Sequence, residues 1–316
     1  MPEISIAMAT YNGEKYLREQ LDSIIAQTIS DWELIVCDDC STDATWQILE
    51  EYAEKDKRIK IFKNERNIGF KKNFEKAISL CSGKYIALSD QDDVWFSEHL
   101  SLLINNLGNF DIACGNALLV DSSNIETGKI LNQVDGFFQL PSNKEQFLWR
   151  ILLNKSPFQG ASLLMHSSFV RECLPIPYGV KMHDTWFASN ACFRNGITYT
   201  FEPVTRYRQH GNNVTFKSHN DDTRLYKERI VSKIRILLKG SFTDRFDYAE
   251  ELEARYGLTN SDFKIIYEFL KNIEKKRVSL KDISKIWKNY KYIITEESHK
   301  LFIKRILIWK GWKRYE

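Results

Sequence analysis

The amino-acid sequence predicts an α/β protein, a mostly parallel β-sheet flanked by helices with a helical C-terminal region behind it. Three observations lead there. Short apolar runs suited to buried strands alternate with stretches of helical spacing over roughly the first 90 residues. These runs end in polar turns, and beyond about residue 220 the composition turns basic and helix-like. Strand and helix in strict alternation is the pattern of parallel strands, because parallel neighbours need a long crossover between them.

Taken in order, residues 4–8 (ISIAM) form a buried strand, and Ala9-Thr10-Tyr11-Asn12-Gly13 turns out of it. Residues 14–28 carry Tyr16, Leu17, Leu21, Ile24 and Ile25 at helical spacing. Residues 33–37 (ELIVC) make a second strand running into Asp38 and Asp39, and residues 45–55 a helix with Trp46, Leu49, Tyr52 and Ala53 along one face. A third strand (58–62), a loop (64–70), a third helix (71–80) and a fourth strand (84–88) follow. The last of these strands empties into Asp90, Asp92 and Asp93.

A chain of 316 residues, 43% hydrophobic and 28% charged, is long enough for one large domain with an appendage. The expected division is a catalytic domain over residues 1–220 and a basic helical region over 221–316. The overall charge of +3 hides an asymmetry: residues 1–220 hold 22 Lys and Arg against 27 Asp and Glu, a net of −5, while 221–316 hold 23 against 15, a net of +8. No run of about 18 apolar residues spans a membrane and no signal sequence opens the chain, so the expected location is the cytosol. Of the six cysteines only Cys37 and Cys40 form a C-x-x-C, without the second pair or nearby histidines of a zinc site. Cys37 reads as an inward strand residue and Cys40 as a small turn residue, both reduced.

The stretch KYIALSDQDDVW organises the rest. Three carboxylates so close repel one another unless a positive charge sits among them. A hard divalent cation, Mg2+ or Mn2+, is the simplest partner, and it keeps positions for water and phosphate oxygens. In a parallel sheet ligands bind beyond the carboxyl ends of the strands. Thr10-Tyr11-Asn12, Asp38-Asp39 and Asp90 to Asp93 would then open onto one rim, so the acids read as a nucleotide-diphosphate site.

IAMATYNGEKYLREQLDSIIAQT, WELIVCDDCSTDAT, NERNIGFKKNFEKAI and GKYIALSDQDDVW resemble, in order and spacing, the successive blocks of family 2 glycosyltransferases. The resemblance covers roughly residues 3–215. It implies the GT-A nucleotide-diphosphosugar transferase fold, Rossmann-like, and inverting, metal-dependent transfer of a sugar to a saccharide acceptor. Carried onto this sequence, Thr10, Tyr11 and Asn12 would cover the nucleoside and Asp39 would accept from a pyrimidine N–H, with adjacent Asp38 an alternative for that role. Asn67, Lys71 or Lys72, and Asn73 would face the nucleotide. Asp92 would bind the cation, with Asp90 near the ribose or reaching the metal through water, and Asp93 capping the segment from Val94. Gln159 and Gly160, with Trp95, His183 and Trp186, would meet donor sugar or acceptor. Where many relatives carry an acidic pair, only the second acid is present here: Asp184 as general base, with His183 in the first place. In the run YRQHGNNV, His210 would complete the metal sphere and Arg208 would hold phosphate.

The combination of DQDDVW, HDTW and YRQHGNNV is similar to the subgroup that builds bacterial surface polysaccharides, many of whose members use dTDP-rhamnose; UDP-hexose and UDP-N-acetylhexosamine donors remain open. In the basic tail, residues 224–239 and 298–315 read as helices that either lie on an anionic membrane surface, where a lipid-linked acceptor would be found, or pack on the catalytic domain or a second copy in a homodimer. Nucleic-acid binding is not expected, since the charge is spread over helices without a recognised module. A nucleotidyltransferase would want a glycine-rich loop after the first strand, and ATYNGEK is not one. A non-catalytic nucleotide-sugar-binding protein would not need Asp92, Asp184 and His210 together.

Overall fold

The computed structural model describes residues 2–134, 147–148, 151–152, 159–180, 182–211, 242–258 and 260–275. The chain divides into two compact units, residues 1–138 with 156–218, and 139–155 with 219–316.

In the first unit the described strands form one nine-stranded sheet. They are β1 (Ile4–Thr10), β2 (Trp32–Asp38), β3 (Ile59–Lys63), β4 (Tyr85–Ser89), β5 (Val94–Trp95), β6 (Ile112–Val120), β7 (Glu126–Ile130), β8 (Leu163–His166) and β9 (Ile197–Arg208). The order is β3-β2-β1-β4-β8-β6-β9-β5, with β7 on β6. β3, β2, β1 and β4 run parallel; β8 is antiparallel to β4 and β6, and β5 to β9. β1 and β2 are buried on both faces, which is why they read as unbroken apolar runs. β3 closes one edge and leaves Lys60 and Lys63 exposed, a charge pattern that suits an edge strand.

Helices α1 (Leu17–Ile25), α2 (Thr45–Lys55), α3 (Phe70–Leu80) and α4 (His99–Leu107) cross between these strands, and α5 (Ser167–Cys173) and α6 (His183–Ala191) follow β8. α1 opens at Leu17, after a turn in which the N–H groups of Tyr16 and Leu17 both donate to the Gly13 carbonyl at 3.1 Å. Leu17, Leu21 and Ile24 of α1, Ile48 and Leu49 of α2, and Leu100 and Leu103 of α4 bury their apolar stripes against Ile4, Ile6, Met8, Leu34, Val36 and Ala87. Each such side chain contributes about 1.5–3 kcal/mol over its exposed state. The short β5, hydrogen-bonded to β9 with Val94 opposite Arg206, carries the chain to the far edge of the sheet. Residues 90–93 are therefore the crossing from β4 into β5.

In the second unit α7 (Phe242–Tyr256) and α8 (Ser261–Glu274) bury Tyr248, Ala249 and Leu252 and Phe263, Ile266 and Leu270. The Asn260 side chain accepts the Phe263 N–H at 2.8 Å and caps α8. The tail helices expected at 224–239 and 298–315 lie outside the described residues. Among the described residues no helix is long and apolar enough to cross a membrane.

Candidate active site

The carboxyl ends of β1, β2 and β4 open on a cleft of about 930 Å³ lined entirely by the first unit. Thr10, Tyr11, Asn12, Asp39, Asn67, Asp90, Asp92, Gln159, Gly160, His183, Asp184 and His210 all line it.

Its β1–β2 side is tightly wired. Asp39 Oδ1 accepts from Asn64 Nδ2 and the Ile68 N–H, both at 2.8 Å, and Oδ2 from the Gly69 N–H at 2.8 Å. Gly69 stands at φ +84°, a conformation glycine adopts without strain, and this brings its N–H onto the carboxylate before α3 begins. Each carboxylate oxygen has two lone-pair sites, so Oδ2 retains capacity for a ligand N–H. Asn12, at φ +49°, accepts the Thr42 N–H (2.9 Å) while its own N–H donates to Ser41 Oγ (2.9 Å). Tyr11 is 48% exposed, and Gln91 clasps its main chain, accepting the N–H at 2.9 Å and donating to the carbonyl at 3.0 Å. Nothing in a lone glutamine between two acids signals that role.

The acids converge at the end of β4. Asp92 Oδ2 and His210 Nε2 stand 2.9 Å apart, and the His210 ring stacks on Tyr16 at 4.8 Å. Adjacent ligands of an octahedral cation with bonds of about 2.1 Å stand about 3 Å apart, so the pair fits neighbouring positions of one sphere. Among the described residues no group of three His, Cys, Asp or Glu side chains gathers to hold a metal. Burial, then the like charges of Asp92 and Asp184, push the Asp90 carboxyl up to about 7. Tyr16, which the helical spacing reads only as an apolar helix residue, lines the cleft.

The opposite side is formed by the turn before β8 and the start of α6. A β-carbon on Gly160 would come 3.2 Å from His183 Nε2 and 3.9 Å from the Asp184 β-carbon, so the His183 ring would have to give by a few tenths of an ångström to admit one. His183 stacks on Phe74 at 4.3 Å, and burial holds its imidazole below the usual histidine range. Neither His183 nitrogen, nor Gln159 Oε1, has a partner among the described residues. Asp184 Oδ1 accepts the N–H and hydroxyl of Thr185.

Five expected contacts lie elsewhere. Asp38 is fully buried, its carboxylate taken by Thr10 Oγ1 and the Ser41 N–H, each at 3.0 Å, so it locks the turn after β2. Lys72 pairs with Glu75 at 2.9 Å on the outer side of α3. Trp95 packs in the core, its ring 3.7 Å from His99, and Trp186 is buried with its indole N–H on the Cys173 carbonyl at 2.8 Å. Both are large apolar side chains on inward faces, and only the fold decides which way a ring near an acidic turn points. Arg208 does not line the cleft: it is fully buried and donates to the Asp92 carbonyl (2.8 Å) and the Glu19 carboxylate (2.9 Å). Two other residues also differ from expectation. Lys71 donates to the carbonyls of Pro177, Tyr178 and Val180 and so fastens that loop. Asp93 precedes no helix; its Oδ1 accepts the Arg208 N–H at 3.0 Å and joins the crossing to β9.

A family model described as glycosyl transferase family 2 matches residues 5–171. The chain belongs to glycosyl transferase family 2. Among family relatives, the dTDP-rhamnosyl transferase RfbG of Shigella flexneri is 30% identical over 65% of this chain and 72% of its own length. Of three further curated relatives the chain spans 35%, 67% and 58% of their lengths. Among solved structures, S. aureus TarS 1–349 in complex with UDP-GlcNAc superposes with a TM-score of 0.54 at 19% identity, covering 94% of this chain and 91% of that one. The Pyrobaculum calidifontis mannosyltransferase PcManGT with GDP-Man and Mn2+ gives 0.54 at 14% identity, covering 98% and 86%. At those identities the likeness is one of fold, and the fold of this family 2 chain is the GT-A arrangement.

Proposed function

We propose that the protein transfers a sugar, with inversion, from a nucleotide-diphosphosugar to a saccharide acceptor in bacterial surface-polysaccharide synthesis. The observation that carries this reading is the convergence of Asp39, Asp90, Asp92, Asp184 and His210 on one cleft from strand ends and a helix start. Asp39 receives the pyrimidine N–H and Tyr11 covers the base. Asp92 and His210 hold Mn2+ or Mg2+, which when bound neutralises charge on the leaving diphosphate. Asp184 takes the acceptor hydroxyl's proton: both Thr185 donors reach Oδ1, which leaves Oδ2 for it.

The favoured donor is dTDP-rhamnose. Phe70, Phe74 and Met182 line the cleft beside His183, an apolar wall that suits the methyl group of a 6-deoxyhexose better than a hydroxymethyl. The acceptor is a free or lipid-linked saccharide. Offering the purified protein dTDP-rhamnose, UDP-glucose, UDP-galactose and UDP-N-acetylglucosamine with Mn2+, and measuring release of the nucleoside diphosphate, tests this. Turnover of dTDP-rhamnose at least tenfold above the others is expected; preference for a UDP-sugar would remove the donor assignment, and no turnover of any would remove the transferase reading.

A further inference from the structure

Arg208 is the largest fully buried charged side chain among the described residues. Its hydrogen bonds run to two sides. Toward the acidic crossing, Nε donates to the Asp92 carbonyl at 2.8 Å and the main-chain N–H to Asp93 Oδ1 at 3.0 Å. Away from it, Nη2 donates to Glu19 of α1 at 2.9 Å and Nη1 to the Ser122 carbonyl at 3.3 Å. The guanidinium also lies 4.6 Å from the centre of the Tyr16 ring, the same ring on which His210 stacks.

A buried guanidinium is costly unless its fork is filled, and an apolar side chain of similar volume is often at least as stable in its place. Stability is therefore a poor reason for an arginine here. Position is a better one: Arg208 ends β9, two residues before His210, and grips the main chain of Asp92. We infer that Arg208 is a positioning residue for the cation pair, fixing the Asp92 main chain and, through the end of β9 and the Tyr16 ring, the His210 imidazole. This rests on the transferase reading of the cleft. Arg208 thus takes no part in holding the diphosphate: it keeps Oδ2 and Nε2 at adjacent-ligand spacing before a cation arrives. Glu19, at the far end of the fork, is the counter-charge that holds the guanidinium in place.

Titrating Mn2+ into the full chain with UDP or dTDP present, followed by calorimetry, tests the inference. Arg208→Met should raise the Mn2+ dissociation constant about 10–100-fold. Affinity for the same nucleoside diphosphate in the presence of a chelator should stay within twofold. Arg208→Lys keeps the charge without the fork and should fall nearer to Arg208→Met than to the wild type, and Glu19→Gln should weaken Mn2+ binding a few-fold. Mn2+ binding within twofold of wild type in Arg208→Lys and Glu19→Gln overturns the inference even where Arg208→Met fails to fold. An equal loss of Mn2+ and chelator-insensitive nucleotide binding also overturns it, since that is the mark of a merely structural role. A wild-type chain that binds no Mn2+ with either nucleotide removes the metal-binding reading of the cleft on which the inference rests, a result distinct from the other two.

Discussion

The two walls of the cleft are built on opposite terms. Along β1 and β2 the polar groups are filled by the protein itself: Asp39 takes three donors, Asn12 is held on both sides and Gln91 brackets Tyr11. Across the cleft, His183 and Gln159 have buried polar atoms without partners among the described residues, and at the end of β4 burial and the charges of Asp92 and Asp184 push Asp90 toward neutrality. A wall of the first kind keeps its shape empty and receives a ligand without rearrangement. A wall of the second kind is destabilising until a cation and a hydroxylated ligand complete it, which is how a site stores a preference for its loaded state.

The contrast predicts that substitutions on the unsatisfied wall change turnover more than stability, and those on the filled wall the reverse. The largest effect is expected from Asp184→Asn, a loss of about a thousandfold in sugar transfer with nucleoside diphosphate affinity intact, measured by initial rates and calorimetry. A melting temperature lowered by this change as much as by one on the β1–β2 side would break the contrast.

Next in size is Asp39→Ala, which strands the Ile68 N–H and leaves the Gly69 N–H only Asn67 Oδ1 at 3.1 Å, and should cost about 1–2 kcal/mol in urea unfolding while weakening nucleotide binding. Undiminished stability would show that this wall is not held by its own hydrogen bonds.

Asp90 supplies a pH test. Its folded-state value of about 7 lies above the ordinary 3.8, so the folded chain holds this proton more tightly than the unfolded one. The free protein should lose stability as pH rises from about 4 to about 7, because ionising Asp90 costs more folded than unfolded. Asp90→Asn should reduce that slope and leave the part due to Asp93, whose buried carboxyl is also pushed well above its ordinary value, and Mn2+ with nucleotide should flatten it in the wild type; thermal melts across the range read both.

The smallest effect sharpens the contrast most. His183→Phe keeps the stack on Phe74 and deletes two unpartnered nitrogens. Stability of the free protein should rise by up to about 1 kcal/mol while transfer falls several-fold. A fall in stability would mean those nitrogens are satisfied in solution.

Much of this was legible in the sequence for one physical reason: apolar runs bounded by turn residues are local signals. β1 to β4 and α1 to α3 lie within a few residues of where periodicity puts them, and α2 spans residues 45–55 as read. The second half of the sheet was not legible. β5 and β9 are joined by pairings such as Val94 with Arg206, distant in sequence, and β9 mixes Pro203 and charged residues into its run. The site divides the same way. Carboxylates at strand ends declare themselves by position, so Asp39, Asp90 and Asp92 line the cleft, as does Asp184 at the start of α6. Side-chain direction has no such local mark, which is why Trp95, Trp186 and Arg208 read as ligand contacts and are interior residues.

The Asp92–His210 contact joins positions 118 residues apart. During synthesis the first four strands and their nucleoside-facing turns leave the ribosome well before β9 can pair. A nascent chain halted near residue 200 would therefore carry Asp39 and Asp92 without His210, so on the proposed reading full cation affinity would appear only once β9 has closed.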